Sequence, residues 1–504
     1  MSSTFASLKV HNYRLWFGAA LVANVGTWMQ RIGQDWLVLT VLTENSGTAM
    51  GVVTALQFLP FLLLSPYAGV LADRLPRRRL LVFTQSVMGL FALILGTLTI
   101  TGYIRLWHVY VMAFLLGTAT AIDTPVRQTF VSDLVGRELL PNAVGLNSAS
   151  FNAARLIGPG ISGLLIAWVG PGIVFIINGI TFAATVLALM FMNRSELKPQ
   201  VSIGKSAGQL TEALKYIRGR SDIVLIMIVM AVVSIFGLNF QINNALMARV
   251  EFGMGAGEFG IVGSVMAIGS LSGALLAARR ERPRVALMLM AGSGFAIALA
   301  IASQMPTYLA YIVATIPIGF ASLTMMTAAN ATLQTTTAPE MRGRVMALYM
   351  MAFQGVTPLG ALFVGWVGEH FGPRWTLGVG AIGVGAICLV ASMWARKHWS
   401  VRIKPHHNWP HLHIFNDSHI GDGTAVGGKL AETPTSKSPD AGERSLLRTN
   451  PHETPAVEPV GYPATSPVES PDDIGIVDAA EAEEIDDYDL TEETDYRITE
   501  TARL

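Results

Sequence analysis

The sequence predicts an all-α polytopic membrane protein, with twelve transmembrane helices in two six-helix bundles and a long polar tail. Three observations carry that prediction. The 504-residue chain is 51% hydrophobic and only 14% charged, with a mean hydropathy of +0.46, too apolar for a water-soluble chain of this length. Twelve apolar runs lie at about 15–42, 48–71, 80–101, 107–130, 144–168, 171–192, 223–249, 257–278, 284–303, 306–330, 344–368 and 374–395, each long enough for the roughly 20 residues a bilayer core requires. The second half also echoes the first. Leu71-Ala72-Asp73-Arg74-Leu75-Pro76-Arg77 returns, blurred, at 276–284, and Gly158-Pro159 with Trp168-Val169-Gly170 returns as Thr357-Pro358 with Trp366-Val367-Gly368. Both echoes lie about two hundred residues downstream, as a parallel repeat of one six-helix unit would place them.

In chain order, residues 1–14 are polar and hold no apolar segment followed by a small-residue cleavage site, so no cleaved signal peptide is expected and the first helix does the targeting. Residues 1–192 form the first bundle, 193–222 a polar interdomain linker with an amphipathic stretch at 210–217, 223–395 the second bundle, and 396–504 a tail. Arginines fall in alternate connections, at 74–79, 137, 194–220, 279–284, 342 and 344, and from 396 onward, against Arg105, Arg249 and Arg374 in the others. That bias predicts a cell-membrane protein with both termini cytoplasmic. The tail, rich in Pro, Ser, Thr, Gly and acidic residues, has the composition of a disordered segment. Its last stretch, 472–504, carries thirteen acidic and two basic residues, a net of −11. The chain is neutral overall, so the remainder carries +11, which suits the anionic surface of a lipid bilayer and does not point to nucleic acid. The acidic tail is a candidate contact for the basic loops or for a protein partner. The one cysteine, Cys388, lies inside an apolar run and excludes an intrachain disulfide or a Cys-based metal site.

The stretch that organises the chain is Gly69-Val70-Leu71-Ala72-Asp73-Arg74-Leu75-Pro76-Arg77-Arg78-Arg79, a tight loop between two apolar runs with four arginines in it. Gly69 permits close approach of helix ends, Pro76 stops helix continuation, and Asp73 is the one anion. This segment resembles the signature loop between helices 2 and 3 of the major facilitator superfamily, whose secondary transporters are built from two six-helix halves. The second copy puts Ala278 where Asp73 stands. The resemblance implies the major facilitator fold and a gate formed by Gly69, Asp73, Arg74, Pro76, Arg77 and Arg78, with Asp73 stabilising the outward-facing state.

Ionisable groups inside a span cost roughly 3 kcal/mol on insertion scales, so each asks for a reason. In helix 1, Arg31 and Asp35 stand four residues apart, close enough to pair, with Gln30 and Gln34 beside them. The pair either fixes packing or serves coupling or binding; Asp35 is the sharper candidate, because proton coupling needs a carboxylate shielded from bulk water. Asp123 and Arg127 lie in the inner half of helix 4. Arg155 sits about 16 Å up helix 5 at 1.5 Å per residue, a depth that predicts an Asp123–Arg155 contact acting as a latch. Gly158-Pro159-Gly160 with Gly163 gives helix 5 a hinge and a flat face. Asn12-Tyr13-Arg14-Leu15-Trp16, Thr27-Trp28-Met29-Gln30-Arg31, Asp123-Thr124-Pro125-Val126-Arg127-Gln128 and 146–159 resemble exporters similar to the bacterial enterobactin exporter. The arginine that drug/proton antiporters of other branches carry four residues before the helix 4 glycine is replaced by Ala113, before Gly117.

Asn239, Gln241, Asn243 and Asn244 in helix 7, and Asn330 and Gln334 in helix 10, either face a solute cavity or hold helices together. Phe114, Phe151, Phe240 and Met326 are candidates for an adaptable pocket wall. Two motifs lead nowhere. Gly204-Lys205-Ser206 resembles the end of a nucleotide loop but has Pro199 in place of its first glycine, and His406, His407, His411 and His413 lie on no rigid scaffold, so neither cofactor nor metal is expected. The function expected is not enzymatic. It is secondary active efflux of small amphipathic organic molecules, drug-like or siderophore-like, coupled to protons by alternating access; the alternatives are a solute importer of the same superfamily and a non-transporting sensor or scaffold.

Overall fold

Among the described residues, twelve crossings account for the apolar runs. In the computed structural model, residues 3–136, 138–197, 209–278 and 285–398 are described, with the pairs 402–403 and 414–415. The first six crossings are α1 (His11–Leu37), continued by a π turn at Val38–Leu42, α2 (Gly47–Arg74), α3 (Arg77–Ile100), α4 (Leu106–Leu134), α5 (Leu140–Val169) and α6 (Pro171–Phe191). A short amphipathic helix, α7 (Gln209–Arg218), follows. The seventh crossing is broken, α8 (Ser221–Phe236) giving way to α9 (Phe240–Leu246). Then come α10 (Ala256–Ala278), α11 (Val285–Ser303), α12 (Tyr308–Thr336), the interrupted pair α13 (Pro339–Gln354) and α14 (Thr357–Phe371), and α15 (Pro373–His398). Among the described residues, eleven crossings are long and apolar enough to span a membrane by composition. The other is α1, whose 27 residues reach about 40 Å and whose apolarity is lowered by Gln30, Arg31, Gln34 and Asp35.

Local chemistry sets the ends of these helices. Ser46 and Thr307 cap α2 and α12 by accepting hydrogen bonds from the backbone N–H groups of Ala49 and Ala310, which satisfies donors that a helix start leaves unpaired. At the same point of each half a glycine with positive φ, Gly170 (79°) and Gly372 (97°), precedes a proline at the first helical position, so the chain reverses within one residue.

Hydrogen bonds identify the two faces of the bundle. On the N-face, where the chain begins, Asn12 Nδ2 donates to the carbonyl of Asn193 at 2.8 Å and Ser7 Oγ to Asn142 Oδ1 at 2.7 Å; Arg220 reaches the carbonyl of Thr336 and Arg344 pairs with Glu212 of α7 at 2.5 Å. On the far face, Tyr308 donates to the carbonyl of Glu258 at 2.7 Å, and Arg374 holds Glu251 at 2.7 Å and the carbonyl of Ser303 at 3.1 Å. Within the first half α3 packs along α6, α2 along α4, and α1 along α5 and α6; within the second, α10 packs along α12, and α11 along α12 and α15. The halves meet along α5–α10 and α2–α14. One buried cluster joins them near the far face, where Met29, Leu37, Met50 and Val53 pack with Ile242, Leu246, Phe259 and Val364.

The gate stretch differs from the expected loop. Helix α2 continues through Gly69 and Asp73 to Arg74 and α3 begins at Arg77, which leaves only Leu75 and Pro76 between them. Arg77 pairs with Asp133 at the end of α4 (2.6 Å), and Arg78 donates to the carbonyls of Leu189 (2.6 Å) and Met190 (3.2 Å) at the end of α6. These arginines therefore tie helix ends together within the first half. The side chains of Gly69, Asp73, Arg74 and Ala278 lie outside the described residues. So do Arg137, the 198–208 segment with Gly204-Lys205-Ser206, residues 279–284, the four tail histidines and the 472–504 acidic segment.

Candidate functional site

Between the halves lies a cavity of ≈ 730 Å³. From the first half α1 contributes Trp28, Gln30 and Arg31, α2 Gln57, Phe58 and Phe61, α4 Asp123, Arg127 and Gln128, and α5 Phe151 and Arg155. The second half contributes Asn239, Phe240, Gln241, Asn244, Phe259, Met266, Met326, Phe353 and Thr357, none of them charged.

Asp123 is buried and fully engaged. Its Oδ1 accepts from Thr84 Oγ1 at 2.7 Å and Gln85 Nε2 at 2.8 Å on α3, and its Oδ2 accepts from Arg127 Nε at 3.0 Å, with an amino nitrogen of the same guanidinium in ion-pair contact at 3.0 Å. Arg127 also lies over the Trp16 ring, 5.6 Å from its centroid. The expected Asp123–Arg155 contact is absent, because Arg127, one turn along the same helix, already holds the carboxylate. Arg155 has no hydrogen bond or ion pair among the described residues.

The expected Arg31–Asp35 pair does not form either. Arg31 lies over Trp28, 5.1 Å from the ring centroid, three residues back along α1. Long helical side chains lean toward the N-terminus, so a base preceding an acid by four residues points away from it, whereas the order Asp123–Arg127 favours contact. Asp35 is buried at 5% exposure and Gln34 beside it at 1%; neither lines the cavity. Asp35 Oδ2 and both amide atoms of Gln34 and of Asn243 are buried with no hydrogen-bond partner. Among the other amides, Asn239 donates to the carbonyl of Ile235 and Asn244 accepts from Tyr311, so both line the cavity and fasten helices. Asn330 is engaged by Gln334 on its own helix and is not part of the cavity wall.

Helix α5 runs unbroken through Pro159. Its small residues serve close approach: a Cβ at Gly158 would stand 2.7 Å from Trp28 Cβ, and one at Gly163 2.5 Å from the carbonyl oxygen of Ala256. In the mirror seam, Cβ atoms at Gly51 and Gly365 would stand 2.5 Å and 2.3 Å from the carbonyl oxygens of Ala361 and Gly47. Glu369 of α14 accepts from Ser46 Oγ at 2.7 Å and from the backbone N–H of Thr48 at 2.8 Å across the halves, and Trp36 stacks on Phe259 at 6.1 Å. These contacts shut the far face. Toward the N-face the wall is open, with Phe151 lining the cavity at 48% exposure.

Sequence reasoning missed Gln57, Phe58 and Phe61, Thr84 and Gln85, and Asn178, whose amide donates to Gln30 Oε1. Isolated polar groups in otherwise apolar runs were the available signal, since a polar atom in a membrane span needs a partner.

The transmembrane secretion effector family model matches residues 2–421. The chain belongs to that family, within the major facilitator superfamily. This major facilitator protein is 27% identical over 382 residues to the staphyloferrin A transporter of Staphylococcus aureus, covering 75% of the chain and 94% of the relative. It is also 27% identical to the multidrug efflux pump Tap of Mycolicibacterium fortuitum, covering 69% and 87% respectively. Among solved structures it resembles the nucleoside transporter NupG, with a TM-score of 0.63 at 13% identity over 77% of this chain and 99% of that one, and a D-xylose-proton symporter, with a TM-score of 0.57 at 13% identity over 77% and 96%. It is a multi-pass membrane transporter of the efflux branch.

Proposed function

We propose that the protein exports small amphipathic organic molecules across the cell membrane by alternating access, driven by inward proton flow. The observation that carries this reading is the cavity between two helical halves, open toward the N-face and shut at the far face by two glycine seams. The N-face is cytoplasmic, because that is where the arginine-rich connections lie. Residues 1–192 and 223–395 are the moving halves, joined by 193–222. Rocking them about the cavity parts the far seams and closes the N-face, which carries bound solute outward. The relative named as a multidrug efflux pump supports the outward direction.

Asp35 is proposed as the proton carrier. It lies under the far-face plug, out of direct contact with Arg31 and with one oxygen unpartnered, so parting the seams gives it access to the outer solution. In proteoliposomes with an imposed pH gradient, the parent should accumulate members of a panel of anionic and cationic fluorescent amphiphiles against their gradients. Asp35→Asn should lose uphill accumulation and keep downhill exchange. Equal uphill flux in both proteins would make Asp35 structural, and a parent that moves no panel member would return the sensor or scaffold reading.

A further inference from the structure

The cavity's charge is unbalanced. Three arginines face it, Arg31, Arg127 and Arg155, against one carboxylate, Asp123. That carboxylate is saturated by Arg127, Thr84 and Gln85. Arg31 and Arg155 make no direct ion pair among the described residues, Arg31 having only the through-space attraction of Asp35 one turn along α1, at a depth where an unpaired cation is costly. Neither is used in packing the halves together. Each offers planar N–H donors suited to a carboxylate fork.

Their placement makes them one site. Both line the cavity together with Trp28. Arg31 lies over its ring, Phe151 meets the ring edge-on at 6.0 Å, and Gly158 lets α5 close on Trp28, with Arg155 on the α5 turn between Phe151 and Gly158. The facing wall of the second half is uncharged, with Phe240, Phe259, Met266, Met326 and Phe353 in it. One wall suits acidic groups and the other an apolar body. We propose that Arg31 and Arg155, which line the cavity with Trp28, bind the acidic groups of an amphipathic organic anion, a dicarboxylate or polycarboxylate, whose apolar part rests on the second half. A cationic drug finds no free carboxylate among the described residues of this cavity. The proposal rests on the transport reading and narrows its substrate class.

The test is equilibrium binding to the full chain in nanodiscs, with three probes that share one body: naphthalene-2,6-dicarboxylate, its neutral dicarboxamide, and 2,6-bis(aminomethyl)naphthalene as the dication. The dicarboxylate should bind about tenfold or more tighter than the dicarboxamide, as charge-assisted hydrogen bonds require. Arg31→Gln and Arg155→Gln should each weaken the dicarboxylate by about tenfold and leave dicarboxamide binding unchanged, which shows that the cavity is intact; Arg155→Lys should recover part of the loss. Binding of the dication or dicarboxamide as tightly as the dicarboxylate, binding of none of the three, or an anion preference that survives the double variant would overturn the site. Binding needs no flux, so the two readings fail separately. An anion held at the arginines without vesicle transport keeps the site and removes the exporter, whereas uphill flux of a cation with no anion binding does the reverse.

Discussion

Asp123 shows how one buried carboxylate organises a helix pair. It accepts three hydrogen bonds from three side chains on α3 and α4, with one further ion-pair contact to Arg127, and removing it strands a guanidinium and an amide in a low-dielectric interior. Breaking a buried pair from one side costs about 3–5 kcal/mol, so Asp123→Ala is expected to lower the thermal unfolding midpoint sharply in detergent, whereas Asp123→Asn should retain the bonds to α3 in part. An alanine variant with the parent's midpoint would mean that the network carries little energy. The sequence made this pair half legible. Four-residue spacing places Asp123 and Arg127 on one face, but the same rule paired Arg31 with Asp35, and chain direction separates the two cases. Thr84 and Gln85 were illegible because nothing in an apolar run says which of its polar residues meets a buried acid on the neighbouring helix.

At the scale of helices, the long apolar crossings were legible from periodicity and length, and the breaks were not. Gly237 to Asn239 and Gly355 to Val356 interrupt runs that look continuous in composition. The charged stretch at 69–79 was legible as a boundary, yet α2 keeps its helix to Arg74 and ends only just before Pro76. Contact between helices is tested at Gly260 of α10. A Cβ there would stand 2.3 Å from the carbonyl oxygen of Pro159, and overpacking of this kind costs about 1–3 kcal/mol. Gly260→Ala is therefore expected to part the α5–α10 seam, while Gly257→Ala, with nothing within 4 Å, serves as control. The readout is maleimide labelling, from the far side, of a cysteine placed at Val53, which is 1% exposed; Cys388 is the chain's only cysteine and is buried, so background is low. Equal labelling of both glycine variants would count against the seam as the closing contact.

For the whole molecule, the two-half plan was visible as an internal echo, and the family follows from the match over residues 2–421. Glu369 joins the halves through Ser46 and Thr48. Glu369→Gln is expected to raise far-side labelling at Val53→Cys, and unchanged labelling would leave the glycine seams as the sole latch. For the acidic tail, the proposal is that it does not hold the bundle closed, since charge attraction at a wet surface fades within about 8 Å at physiological salt. Truncation after Asp440 should leave flux unchanged at low and high salt, and a faster truncated protein would reveal a brake.

The surfaces that close this molecule are made largely of backbone, glycine against carbonyl. Such a lid recognises nothing by side chain and shuts in the same way over any cargo. Identity is written elsewhere, in the arginines, aromatics and methionines of the chamber. A change of cargo then needs only new furniture inside the room, and the door can stay as it is.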